Sequence, residues 1–330
     1  MSLAEKNTTE TDWHALDAKL RPDDPQPEGW YAVALAEEVV ADKPHGCDFL
    51  GGRVVVYRQA GGDPVVMTAR CPHMGADLAL GDVVDDSIRC TYHHFCFAPD
   101  GSCSSIPSEG TIPSTARLFS YPAVESLGVI WAYNGQEPLF PPPAIRDYEE
   151  KDLLFHARKT NIFTVAPWLS IGNTFDFMHL RYVHNLDFQI EPKDVRYLDD
   201  HHIELEIPFV SPETGAFEQR IRVTGTNAVS FQTVTDHTTL GLFTSTPIGT
   251  TAQTYYIAAV PKDPEATPSE LEQRLAEQET FGDDLLFDDA RTLTGIDFKV
   301  GSLVAGDQAM VSYLQWVSRF PKAEPPTAFR

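Results

Sequence analysis

The run Cys71-Pro72-His73-Met74-Gly75-Ala76 is followed further along by Cys90-Thr91-Tyr92-His93-His94-Phe95-Cys96. Sixteen residues separate His73 from Cys90, and the donors alternate Cys, His, Cys, His. Structural zinc sites draw on Cys-x(2-4)-Cys pairs, and two loops giving one thiol and one imidazole each do not fit that habit. An iron-sulfur centre in which two thiolates hold one iron and two neutral imidazoles hold the other needs this alternation. Any one of Cys71, His73, Cys90 or His93 alone would read as an ordinary buried thiol or surface histidine, but four together do not. Cys47, Cys96 and Cys103 fall at no ligand spacing and read as small buried hydrophobes.

Around these loops, from Trp30 to Tyr133, short apolar runs (YAVALA, RVVVYRQ, PVVMTA, FCFAPDGSC, GVIWAYN) are split by glycine and turn residues, the pattern of an all-β domain. Pro99-Asp100-Gly101 supplies the chemistry of a hairpin tip. Pro138 to Pro143 cannot continue a ladder, because proline lacks the amide donor, and this marks a domain boundary. Residues 1–28 read as an arm, with Trp13, Leu16 and Leu20 at helical spacing ahead of Pro22, Pro25 and Pro27. The expected division is an arm over 1–28, an all-β domain over 29–143 and a second domain over 144–330.

The second domain mixes periods, so the chain as a whole is expected to be α+β. A helix is expected around Trp168 to Val183, then strands (HIELEIPFV, QRIRVTGT, AVSFQTVT, TYYIAAV), then helices from Ser269 onward with Ser269 and Glu272 as a capping box. A last helix follows Asp307, with Met310, Leu314 and Val317 on one face.

Within the first helical stretch, Asn173, Asp176, His179 and His184 sit among Trp168, Leu169, Ile171, Phe175 and Phe177, and polar groups in such company need a reason. Two imidazoles and a carboxylate on one face of Fe(II) leave open positions for dioxygen and water. The i, i+5 spacing of His179 and His184 lets both face one metal only if the helix bends, loosens or ends between them. Asp176, three residues before His179, is placed to orient an imidazole rather than to ligate.

The chain holds 48 acidic and 25 basic side chains, a formal net charge of -23, which repels phosphate backbones and argues against a nucleic-acid partner. The first residues lack an apolar core after a basic start, and no stretch reaches the ~18 consecutive apolar residues of a membrane span, so a cytoplasmic protein without a membrane partner is expected. Five cysteines, an odd number, suit thiols kept for a metal in a reducing compartment. No Gly-x-Gly-x-x-Gly follows a strand, so electrons are expected from a separate protein.

CPHMGADLALGDV with IRCTYHHFCFAPDGSC resembles the Rieske domain of ring-hydroxylating oxygenases and related demethylases, with His94 where that family commonly has glycine. The run from Asn173 to His184 resembles the same family's Asn-x-x-Asp-x-x-His-x(4)-His signature. The resemblance implies a terminal oxygenase with a Rieske 2Fe-2S cluster on Cys71, His73, Cys90 and His93, and a mononuclear Fe(II) on His179 and His184 with Asn173 nearby. It implies a catalytic domain built on a curved, helix-grip-like antiparallel sheet whose strands after Ile203 line the substrate pocket. It also implies a ring-shaped homotrimer in which Asp176 bridges His179 to His73 or His93 of the next subunit. The segment Phe281-Gly-Asp-Asp284-Leu-Leu-Phe-Asp-Asp resembles the family's acidic segment, and Asp284 is the expected third ligand. Asp283, sharing a face with Leu286, Ala290 and Leu293, is the alternative, while Asp288 and Asp289 read as exposed helix charges.

The GDQAMVSYLQWV ending is similar to the vanillate demethylase and dicamba monooxygenase branch. That branch implies monohydroxylation or oxidative demethylation of an aromatic or other cyclic molecule with O2 and with NAD(P)H electrons passed through a reductase or ferredoxin. Ring dihydroxylation and a pure electron-transfer or redox-sensing role are the alternatives.

Overall fold

In the computed structural model the structure describes residues 25–108, 110–211 and 215–323. The helical spacing at Trp13, Leu16 and Leu20 lies outside the described residues, as does the arm up to residue 24. Residues 25–28 run alongside the far end of the chain: Pro27 bridges Lys322, and the Glu28 amide donates to Pro321 O at 2.8 Å.

The N-terminal part is built of three small antiparallel sheets. One orders Gly29–Leu35, Val129–Asn134 and Ala123–Ser126; a second orders His45–Phe49, Gly52–Arg58, Pro64–Thr68 and Ser120–Tyr121. The third joins Asp82–Val84, Ser87–Arg89, Cys96–Phe97 and Cys103–Ser105. The run Val54-Val55-Val56-Tyr57 is buried throughout, which explains why it reads as unbroken apolar β-formers rather than as an alternation. Its period of two divides it between cores: Val55 and Tyr57 pack with Cys71 and Cys90, while Val54 and Val56 pack with Tyr31, Val33 and Ile130. The Pro99-Asp100-Gly101 turn stands between the last two strands of the third sheet. Gly101, at φ +82°, approaches the Leu118 carbonyl so closely that any side chain would collide with it.

Residues 135–149 carry no strand or helix. Beyond them an eight-stranded antiparallel sheet runs in the order Leu153–Phe163, Thr251–Pro261, Thr238–Ile248, Ala228–Val234, Gly215–Thr224, His202–Ser211 and Asp187–Phe188, with Arg196–Tyr197 also paired to His202–Ser211. The expected single helix over Trp168 to Val183 is in fact two: α1 over Pro167–Gly172 and α2 over Phe177–Tyr182, separated by a tight turn at Asn173–Phe175. Helix α3 spans Pro268–Leu293 and α4 spans Gln308–Val317. The capping box of α3 is Thr267 with Glu270 rather than Ser269 with Glu272, because Pro268, lacking an amide proton, takes the first helical position. Helix α4 buries Leu314 and Val317, and its Tyr313 stacks on Phe175 and donates to Trp168 O at 2.7 Å.

The two parts share one core. Trp30, Trp131 and Tyr133 of the first pack with Phe163, Leu240 and Tyr255 of the second. Carbonyls of strand Gly29–Leu35 are capped by side chains of the large sheet: Asn227 Nδ2 donates to Trp30 O at 3.0 Å, Thr246 Oγ1 to Ala32 O at 2.8 Å and the Tyr255 hydroxyl to Val33 O at 2.9 Å. Asn227→Ala leaves a buried carbonyl unpaired and should cost about 1–3 kcal/mol of stability, read as a lowered urea midpoint.

Candidate metal centres and pocket

The two Cys-His loops fold alike. In the first, the Cys71 amide donates to Ala76 O at 2.9 Å and the Gly75 amide to Cys71 O at 2.8 Å; in the second, the Cys90 amide donates to Phe95 O and the His94 amide to Cys90 O, both at 2.9 Å. The residue four beyond each cysteine must therefore turn left-handed, and it is Gly75 at φ +79° in one loop and His94 at φ +55° in the other. The thiols of Cys71 and Cys90 are buried, whereas His73 and His93 are exposed with their rings 4.6 Å apart and His73 stacked on Phe95. Burial pushes the Cys71 thiol up to about 11; the amides of His73 and Met74 pull the other way, against a further rise from neighbouring Cys90. Two buried thiols side by side, with amide donors aimed at one of them, and two imidazoles meeting on the outside fit a cluster with an inner thiolate iron and an outer imidazole iron. Because His94 holds a conformation costing an L-residue roughly 1–2 kcal/mol, His94→Gly should raise the thermal midpoint without altering the cluster's visible spectrum.

In the second domain, the break between α1 and α2 falls at Asp176 (φ -87°, ψ 87°), whose carboxylate caps α2 by accepting from the amides of Met178 at 3.1 Å and His179 at 2.9 Å. Helix α2 ends at Tyr182, so His184 stands beyond it and turns back toward His179, which resolves their i, i+5 spacing. His179 Nε2 lies 3.1 Å from His184 Nε2 and 2.9 Å from Asp289 Oδ1, and His184 Nε2 lies 3.3 Å from the same oxygen. Asp289 is thus the carboxylate that joins the imidazoles, and Asp284 is not. Asp284 is exposed, and Asp283 pairs with Arg158 at 2.7 Å.

The reason is which face of α3 docks. Gln278, Gly282, Leu286 and Leu293 are its buried residues, and Asp289 falls on that side at i+7 from Gly282. Gly282 rests on the Tyr256 ring with no room for a methyl, and Gln278 Nε2 donates to the Tyr256 hydroxyl at 2.8 Å. The glycine inside an acidic helix was the sequence signal for this close approach.

Three donor atoms about 3 Å apart are spaced as ligands ~2.1 Å from one ion are when they meet near right angles. Burial alone would raise the Asp289 carboxyl, but hydrogen bonds to His179 and His184 outweigh it and hold it below the usual range. Asn173 Nδ2 donates to Asp289 Oδ1 at 3.1 Å, and the buried Nδ1 of His184 has no hydrogen-bond partner, with Asp288 Oδ2 3.9 Å away. The donor set fits a ferrous ion. Beside it opens a cavity of about 440 Å³ lined by Asn173, His184, Asp288 and Asp289 and walled by apolar side chains of the strands after Ile203, among them Phe217, Ile221 and Phe231.

Residues 29–122 match the Rieske [2Fe-2S] domain family. That segment is a Rieske domain, and the chain beyond it has the fold seen in oxygenases that carry one. Dicamba monooxygenase bound to 3,6-dichlorosalicylic acid superposes with a TM-score of 0.68 at 20% identity, covering 90% of this chain and 97% of that one. Pseudomonas putida CBB5 NdmA with caffeine gives 0.68 at 18% identity, covering 87% and 89%. In sequence, the oxygenase component of a 3-ketosteroid-9-alpha-monooxygenase of Rhodococcus rhodochrous is 33% identical over 117 residues, 36% of this chain and 31% of that protein. Cholesterol 7-desaturase of Bombyx mori is 34% identical over 179 residues, 52% and 38% respectively. These sequence alignments span less than half the length of the curated relatives. The chain therefore resembles the terminal components of Rieske non-haem iron oxygenases in both of its parts. No helix among the described residues is long and apolar enough to cross a membrane.

Gly282→Ala should lift α3 from Tyr256 and draw Asp289 away from the imidazoles. Ferrous affinity, measured anaerobically, is expected to fall while the far-ultraviolet spectrum stays that of a folded chain.

Proposed function

We propose that this chain is the terminal oxygenase of a multicomponent system, which uses O2 to monohydroxylate or oxidatively demethylate a cyclic small molecule. The observation that carries the reading is the convergence of His179, His184 and Asp289 at the edge of an apolar cavity, in a chain that also bears a Rieske domain. Cys71, Cys90, His73 and His93 hold the cluster, and the three convergent residues hold the mononuclear iron. When bound, the ferrous ion and the reduced cluster each supply an electron toward dioxygen. Asn173 fixes the Asp289 carboxylate, the cap at Asp176 fixes the first turn of α2 and with it His179, and the aromatic walls keep water from the bound substrate. Relatives named for ketosteroid, toluene-4-sulfonate and 3-chlorobenzoate oxygenation support a cyclic substrate.

Electrons come from NAD(P)H through a separate reductase or ferredoxin, in the cytoplasm. The two functional domains divide at Pro138 to Pro143. The working form is a homotrimer, with Asp176 linking His179 to His73 or His93 of the next subunit. Exposed apolar groups beside both centres support this arrangement: Met74, Leu80 and Tyr92 at the cluster end, and Met178, Tyr182 and Phe287 near the iron ligands.

The test is turnover of iron-replete protein with a reductant and a panel of cyclic substrates, alongside metal analysis of variants. Asp289→Ala and His179→Ala should lose the mononuclear iron and all product formation while the cluster spectrum persists. Asp284→Ala should keep the iron; if it instead lost the iron and Asp289→Ala kept it, the ligand set would be wrong.

A further inference from the structure

The walls of the cavity differ in charge. On the sheet side Phe217, Gln219 and Ile221 project into it at alternate positions of one strand. Gln219 is the amide in that wall, and its Nε2 donates to Thr233 Oγ1 at 3.3 Å. The Tyr256 hydroxyl, also at this wall, is already bonded to Gln278.

On the helix side Glu277, Phe281, Asp284 and Asp288 face the cavity, one turn apart along α3. Two acids that point elsewhere from the same helix are matched, Glu279 by His156 and Asp283 by Arg158. Glu277, which accepts from the neutral Gln273 amide at 2.9 Å, and Asp284 have no cationic partner among the described residues. No lysine or arginine among the described residues lines the cavity. Four carboxylates, those of Glu277, Asp284, Asp288 and Asp289, stand against the two positive charges of a ferrous ion, so the loaded pocket remains negative.

We propose that this pocket selects an uncharged cyclic substrate and rejects carboxylates and sulfonates, with Gln219 addressing a neutral carbonyl or hydroxyl on the ring. The inference rests on the cavity being the substrate site of the oxygenase proposed above. An organic anion entering here would give up its hydration, find no lysine or arginine to pair with and a ferrous charge already outnumbered by carboxylates, and approach the unmatched Glu277 and Asp284. A neutral ring pays none of these costs. Glu277 and Asp284 are exposed at the rim, where water weakens their field without removing it, and the deeper apolar wall favours the neutral form over a charge of either sign.

N-phenyl-1-naphthylamine and 8-anilinonaphthalene-1-sulfonate share a ring system and differ by one sulfonate. Both are titrated by fluorescence into the full-length, iron-loaded protein under argon. The pocket component is the part lost in Ile221→Trp or, should that variant not fold, in Val229→Trp. The neutral probe should bind the pocket at least roughly tenfold more tightly than the sulfonate. The double variant Glu277→Gln with Asp284→Asn, at two exposed positions, should narrow that gap by strengthening sulfonate binding alone, and added salt should narrow it too. Equal or tighter sulfonate binding in the unaltered pocket, no pocket component for the neutral probe, or a gap unmoved by the double variant would each overturn the proposal. Because the readout is binding, the two readings fail separately. Charge selection without any oxygenation would sink the oxygenase and leave the filter, and oxygenation with equal binding of both probes would do the reverse.

Discussion

His179 Nε2, His184 Nε2 and Asp289 Oδ1 meet within 2.9–3.3 Å of one another, and the second domain is arranged to make them do so. Two imidazole nitrogens that face each other and a shared carboxylate oxygen are best satisfied by a cation between them. To place them, the chain ends one short helix at Gly172, starts another at the Asp176 cap and stops it at Tyr182, so that His184 returns on His179. It also brings α3 down on Tyr256 at a glycine, which sets Asp289 opposite.

The cluster end obeys a different constraint, one of access. Strand Gly52–Arg58 is buried on both faces, and on one of them it packs with the thiols of Cys71 and Cys90, whereas His73 and His93 look outward. Thiols inside and imidazoles outside would give a bound cluster one exposed side, the side from which an electron could leave. The strand Gly29–Leu35 then fastens this domain to the large sheet through Asn227, Thr246 and Tyr255, so the relation between the two parts is set by buried hydrogen bonds as well as apolar area.

The cluster loops were legible in sequence because the donors are local: each loop carries its own thiol and imidazole within a few residues, and the left-handed position four beyond the cysteine explains why glycine is expected where His94 stands. The imidazoles of the second centre were legible as residue types, and their awkward spacing called for a helix that ends between them, as α2 does at Tyr182. Asp289 was not legible. Four aspartates crowd Asp283 to Asp289, and which of them turns inward depends on the helix face that docks, a tertiary fact. The close fit of Gly282 against Tyr256 decides it, and Tyr256 lies on the strand before α3, outside the helix whose pattern was being read. The capping box of α3 moved for a more local reason, the preference of Pro268 for the first helical position.

On the function proposed above the chain holds a third iron, apart from the two of its cluster, on His179, His184 and Asp289. Mössbauer spectra of the dithionite-reduced protein, reconstituted anaerobically with 57Fe, test it most directly. One high-spin ferrous doublet of nitrogen and oxygen ligation is expected for every reduced cluster, shifting when a pocket ligand is added. A protein whose iron is accounted for entirely by the cluster, after reconstitution with excess ferrous ion, would contradict it.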